Sequence, residues 1–238
     1  MRGSLVRNSI GVLAALALGI GLVLAATSSP DAFQGEYVRI MYMHVPGAWL
    51  AFLAFGVTAL GSAGWLLTRR DGWDRLAEAS AEIGVLFTGV ALFTGSLWGR
   101  PVWGTYWDWG DARMASTALM FFVYLGYLAL RRATPDPTAR ARRAAVLGLV
   151  AVVQVPIVYF SVTFWRSLHQ GFTVRPDGVS LEGSMVGALL INLLAFTLLY
   201  GYLMMERMRI ARIAGARMAE AAEAAGAAVT SPNLEGLS

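Results

Sequence analysis

Ala48-Trp-Leu-Ala-Phe-Leu-Ala-Phe-Gly-Val-Thr-Ala-Leu-Gly-Ser-Ala-Gly-Trp-Leu-Leu67 carries no charged residue. A helix of roughly 20 residues rises about 30 Å, the thickness of a bilayer's hydrocarbon core. Five further apolar runs of similar kind occupy residues 10–26, 81–97, 114–130, 144–160 and 184–205. The last four are hydrophobic around most of the helix circumference, as lipid-exposed helices must be. No stretch alternates with period two for long enough to suggest a barrel. The expected fold is an all-α membrane protein, a bundle of six transmembrane helices.

Composition agrees. The chain has 238 residues, 57% hydrophobic and 14% charged, where a soluble domain carries about 25% charged residues. There is no cysteine, which excludes structural disulfides, thiolate metal sites and thioether attachment through this chain. All 19 basic residues are arginine and the net charge is +4. An isoelectric point near 9.8 invites a nucleic-acid reading. The arginines, however, lie in short loops between apolar runs, where they set topology, so no nucleic-acid partner is expected.

Arg2 and Arg7 precede the first run, which ends in Leu24-Ala-Ala-Thr27 and resembles a signal peptide. Its apolar length exceeds the usual h-region of about 7–15 residues, so a retained anchor is expected. With the N-terminus inside, fourteen arginines fall on the cytoplasmic side: 2, 7, 69, 70, 75, 131, 132, 140, 142, 143, 207, 209, 212 and 217. Five fall outside: Arg39, Arg100, Arg113, Arg166 and Arg175. That bias predicts an N-in/C-in topology. Residues 1–205 form the membrane domain and 206–238 a cytoplasmic helical tail. Helix is expected to about Ala225 and fraying from Thr230 onward. Residues 134–143 read as a cytoplasmic loop. No internal repeat is evident.

Sorting the remaining residues by side gives a lopsided result. Both histidines, His44 and His169, and six of the eight tryptophans (49, 98, 103, 107, 109 and 165) fall at the outer level. The densest segment is Trp98-Gly-Arg-Pro-Val-Trp-Gly-Thr-Tyr-Trp-Asp-Trp-Gly-Asp-Ala-Arg113. An interfacial aromatic belt places one or two such rings at a helix end. Four tryptophans and a tyrosine within twelve residues exceed that, although Trp98 alone fits a belt. Flat indole faces suit a large, planar, amphiphilic ligand and lose little conformational entropy. Glycines such as Gly104 allow close backbone approach.

His44 lies in Arg39-Ile-Met-Tyr-Met-His-Val-Pro-Gly-Ala-Trp49, with Pro46 at a favoured helix start. That places His44 just ahead of the second span. His169 ends Ser161-Val-Thr-Phe-Trp-Arg-Ser-Leu-His169, beyond the fifth span. A lone interfacial histidine is ordinarily a hydrogen-bonded surface group. Two on one face beside an indole platform point instead to axial ligation of a haem iron, for which neutral imidazole is well suited. Arg100, Arg113, Arg166 and Arg175 are candidate partners for the propionates, against the plainer reading of topological arginines. Asp108 and Asp111 are candidate caps of the fourth span, Asp111 preferred in that role.

At these three segments the chain resembles the haem-handling proteins, in particular the cytochrome c maturation protein C (CcmC, haem exporter protein C) family. That family carries a WGTxWxWDAR loop between two spans, a histidine in an MHVPxAW-like segment, and another in an SVxxWxxLHQ-like segment. All three recur in order, and the resemblance covers residues 35–205. Tyr106 and Phe164 stand where many relatives have tryptophan, and Gly110 splits the contiguous Trp-Asp pair into Trp109 and Asp111.

The resemblance implies a haem-binding membrane protein that presents non-covalent, transiently bound haem b at the outer face. It would deliver this haem to a periplasmic, CcmE-like chaperone. His44 and His169 would ligate iron, with Trp98, Trp103, Gly104, Tyr106, Trp107, Trp109, Arg113, Trp165 and Arg166 around the ring. CcmA/CcmB-like ABC subunits and a small CcmD-like membrane subunit are the implied partners, beside lipid. The chain has no GxxxxGK[ST] phosphate loop, so ATP hydrolysis is expected elsewhere and no enzyme activity here. Two alternatives remain. A membrane b-type electron carrier would place histidines inside its bundle, and none is expected within the interior of a span. A haem transporter would show ionisable groups along a pathway, where only Glu82 qualifies, near the cytoplasmic interface and able to stay hydrated.

Overall fold

The computed structural model describes residues 2–171, 174–175, 178–179, 181 and 183–230. Seven α-helices follow in order: α1 (Arg2–Thr27), α2 (Met41–Thr68), α3 (Asp71–Trp103), α4 (Ala112–Ala133), α5 (Pro137–Ala151), α6 (Gln154–Phe164) and α7 (Gly183–Thr230). A 3-10 turn at Glu36–Ile40 leads into α2, and the two-residue strands β1 (Val174–Arg175) and β2 (Gly178–Val179) pair antiparallel. Helices α5 and α6 together make one crossing, so the bundle has six apolar spans. The segment 231–238 and the side chain of Arg175 lie outside the described residues.

The spans are longer than their apolar cores, because charged residues are carried inside them in pairs. Asp74, Glu78 and Glu82 extend α3 well ahead of residue 81. Arg131 of α4, its side chain 2% exposed, donates to both Asp74 oxygens at 2.7 and 2.8 Å and to Glu78 at 3.0 Å. Glu82 accepts from Arg207 of α7, at 2.5 Å from its Nε. Glu82 is therefore paired across a helix–helix contact, with about a third of its side chain still exposed. Arg7 meets Glu206 at 3.0 Å, joining α1 to α7 at the same end.

Three further expectations change. The loop expected over 134–143 is confined to 134–136, since Asp136 caps α5 by accepting from the Ala139 N–H at 2.6 Å, with Pro137 in the first turn. The run 144–160 breaks at Val152–Val153. Pro156 offers no N–H to the Val152 carbonyl four residues back and its ring crowds it, which ends the α-helical ladder there. Pro46 does not mark the start of α2 but sits inside it, five residues after Met41.

The interior is built on α2. Phe55 stacks on Tyr124 with centroids 3.4 Å apart and planes 13° off parallel, within a cluster that includes Ala51, Ala81, Met120, Tyr127 and Ala144. Helix α1 lies along α7, where the buried Asn192 donates to the carbonyls of Gly21 at 3.0 Å and Ala188 at 2.8 Å. This up-and-down order brings to one end the start of α2, the end of α3, the start of α4 and the end of α6.

Candidate functional site

That end carries both histidines. His44 projects from the first turn of α2 toward α3. Its Nδ1 lies 3.0 Å from the Ala91 carbonyl oxygen and 3.2 Å from Thr94 Oγ1. A carbonyl only accepts, and the Thr94 hydroxyl donates to Val90 O at 2.7 Å. Nδ1 therefore carries the proton, and Nε2 is the bare nitrogen. The ring fits because residue 95 is glycine: a Cβ there would lie 2.8 Å from His44 Cε1. Trp98 meets the imidazole edge-on at 5.7 Å, and its Nε1 donates to Gln34 Oε1 at 2.9 Å.

His44 thus lies within a spanning helix, not ahead of one, because α2 starts at Met41. The position remains at the very end of the span.

His169 reaches the same end from the segment after α6, held by Asp111. Asp111 caps α4 as expected, Oδ1 accepting from the Met114 N–H at 2.8 Å. Its Oδ2 accepts from Ser167 Oγ at 2.8 Å and from the Leu168 N–H at 2.5 Å. His169 Nδ1 lies 3.4 Å from Asp111 Oδ1 and 3.3 Å from Ser167 Oγ. The single Ser167 proton is spent on the carboxylate, so the hydroxyl can only accept from Nδ1. His169 is fixed in the same tautomer as His44, again with Nε2 bare.

Burial raises the Asp111 carboxyl, but the Met114, Ser167 and Leu168 donors outweigh it and hold the group below the usual carboxylate value. Burial lowers His169, Asp111 opposes, and Arg113 adds to the lowering, so the imidazole is held neutral. His169 and Arg113 are near enough for a charge on either to act on His44.

The aromatic residues divide into two sets. Trp98 and Trp103, both on α3, each touch a histidine, Trp103 lying 4.7 Å from the His169 ring. Helix α3 ends at Gly104, whose φ of 77° is the left-handed cap geometry that glycine adopts freely. Beyond it, Trp107 packs edge-on against Trp109 at 5.1 Å, and the Arg100 guanidinium covers Tyr106 at 5.7 Å. Tyr106, Trp109 and Trp165 are more than half exposed.

The arginines are not equivalent. Arg113 donates to the Tyr159 carbonyl at 2.7 Å, and Arg100 donates to the carbonyl of Gly104. Arg166 exposes its side chain and accepts with its own carbonyl from the Ala112 N–H at 3.4 Å. Sequence reasoning missed Gln34, Gly95 and the link from Asp111 to Ser167. The available signal was Ser167 itself, two residues before His169, since a serine hydroxyl readily bonds nearby backbone.

The sequence matches known proteins over most of its length. Residues 3–223 match the family described as Heme exporter protein C. The Heme exporter protein C of Bradyrhizobium diazoefficiens is 49% identical over 193 residues, 81% of this chain and 73% of that one. The Escherichia coli K12 protein of the same name is 35% identical, over 84% of this chain and 81% of its own length. A Marchantia polymorpha protein, named as a cytochrome c biosynthesis ccmC-like mitochondrial protein, is 35% identical over 79% and 78%. This chain belongs to the Heme exporter protein C (CcmC) family.

Proposed function

We propose that this chain binds haem b, non-covalently and transiently, and presents it on the outer face of the plasma membrane to a periplasmic haem chaperone during cytochrome c maturation. The observation that carries the reading is the shared tautomer. Two histidines from elements 125 residues apart in sequence each have Nδ1 tied down and Nε2 unclaimed. Among the described residues no three His, Cys, Asp or Glu side chains gather as a metal site. A pair of imidazoles alone suits an iron whose equatorial positions are already filled by a porphyrin.

Haem would supply that iron, together with apolar faces and two propionates. His44 and His169 ligate, each oriented by the group on its Nδ1. Trp98 and Trp103 buttress the imidazoles, while Trp109, Tyr106 and Trp165 offer exposed ring area for the porphyrin and the docking chaperone, with the half-buried Trp107 packed behind Trp109. Arg113 and Arg166 pair with carboxylates. The arginine bias supports an orientation with this end outside the cytoplasm. CcmA/CcmB-like ABC subunits and a CcmD-like subunit complete the assembly, and delivery by this chain involves no bond-making catalysis of its own. The test is the absorption spectrum of the purified, haem-loaded protein, before and after addition of the chaperone. A bis-histidine spectrum lost in His44→Ala and in His169→Ala, with haem passing to the chaperone, is expected. Unchanged spectra in both variants count against it.

A further inference from the structure

We infer that Asp111 is the positioning residue for the His169 ligand, a latch that couples the tryptophan loop to the ligand loop. The inference rests on the axial role of His169 given above. It stands on four contacts of one carboxylate with 0% side-chain exposure: Met114 N–H on its own helix, then Ser167 Oγ, Leu168 N–H and His169 Nδ1 on the other segment. The loop is further tied by the Ala112 N–H to the Arg166 carbonyl, at 3.4 Å. His44 has no such partner, because its Nδ1 faces a peptide carbonyl and a threonine.

The two imidazoles are therefore unequal donors. A carboxylate 3.4 Å from Nδ1, beside the Ser167 oxygen that accepts its proton, makes the ring more basic at Nε2 than a neutral carbonyl does. Asp111 accordingly strengthens the His169 side of the pair and favours ferric over ferrous iron. It also keeps Trp103, packed on His169, in register with the rest of the loop. Movement of the tryptophan loop, as when a partner docks on its exposed rings, would reach the Nδ1 side of His169 chiefly through this side chain, which alone contacts Ser167, Leu168 and His169 together.

Asp111→Asn separates the latch from the cap. Asparagine caps helices about as well as aspartate, so α4 keeps its first turn. Its amide, however, cannot accept from both Ser167 and Leu168 while Oδ1 serves Met114. In the haem-free protein, hydrogen exchange at the Leu168 amide should accelerate by about tenfold or more, the loss expected for a hydrogen bond to a charged group. In the haem-loaded protein the reduction potential should move to a more positive value, with a smaller shift in Ser167→Ala. Unchanged exchange and unchanged potential in Asp111→Asn, while His169→Ala still alters the haem spectrum, would overturn the latch and leave the ligand reading intact. An unaltered spectrum in His169→Ala would overturn the ligand reading, and the Leu168 exchange comparison would still decide whether Asp111 holds the loop.

Discussion

Gly95→Ala tests how the His44 imidazole is held. The added Cβ would lie 2.8 Å from His44 Cε1 and 3.3 Å from Nδ1. Carbon atoms rest at about 3.5–4.0 Å, so the ring must move by about 0.7 Å or more. The bond from Nδ1 to Ala91 O is 3.0 Å long, and such a displacement stretches it past useful range. A net hydrogen bond is worth about 1 kcal/mol, and 1.4 kcal/mol is about a tenfold change in affinity. Haem affinity should fall by about five- to tenfold, with the His44 tautomer no longer fixed. The fold should survive, because alanine in a helix interior is favoured over glycine by about 0.5–1 kcal/mol. Gly89→Ala on the same helix is the control, since its Cβ would meet only Phe121 Cε2 at 3.6 Å. The assay is a haem titration followed by absorbance in detergent, with thermal unfolding of the haem-free protein alongside. Wild-type affinity and spectrum in Gly95→Ala would refute the argument that the glycine exists to seat the imidazole.

Arg131→Ala should lower stability by about 3 kcal/mol or more, since it strands Asp74 and Glu78 beside a guanidinium site that is 2% exposed. Arg209→Ala, on a half-exposed pair with Glu206, should change it by less than about 1 kcal/mol; equal shifts in detergent melting would contradict the distinction. Trp103→Ala should weaken haem binding by up to about tenfold. Trp165→Ala should do less, because its exposed ring packs on Phe164 at 6.0 Å rather than on a histidine; the reverse order in haem titrations would be evidence against the Trp103–His169 pairing. Asn192→Ala removes the donors to Gly21 and Ala188 and should loosen α1 from α7 by about 1 kcal/mol, read as faster proteolysis ahead of α2.

The six spans were legible because length and apolarity alone decide them. Their limits were not. Helix α3 begins at Asp71, far ahead of its apolar stretch, because its acids pair with Arg131 and Arg207 from other helices. A local reading sees only unpaired charge. The break before Pro156 was readable from the missing N–H, and the Asp136–Pro137 helix start from its cap, but both were overridden by the hydropathy of the run. At the site, residue types carried most of the information: two histidines, the indoles and the capping Asp111. The fixed tautomers were beyond reach, since the Ala91 carbonyl meets His44 across 47 residues and Ser167 gives its proton to Asp111 across 56. Gly95 likewise shows its purpose only once α2 and α3 are side by side.

Electron paramagnetic resonance of the ferric, haem-loaded protein tests most directly whether His44 and His169 serve one iron. The wild-type protein should be low-spin with two nitrogen ligands, and replacing either histidine by alanine should convert it to high-spin. A low-spin signal that survives in either single variant would contradict the account.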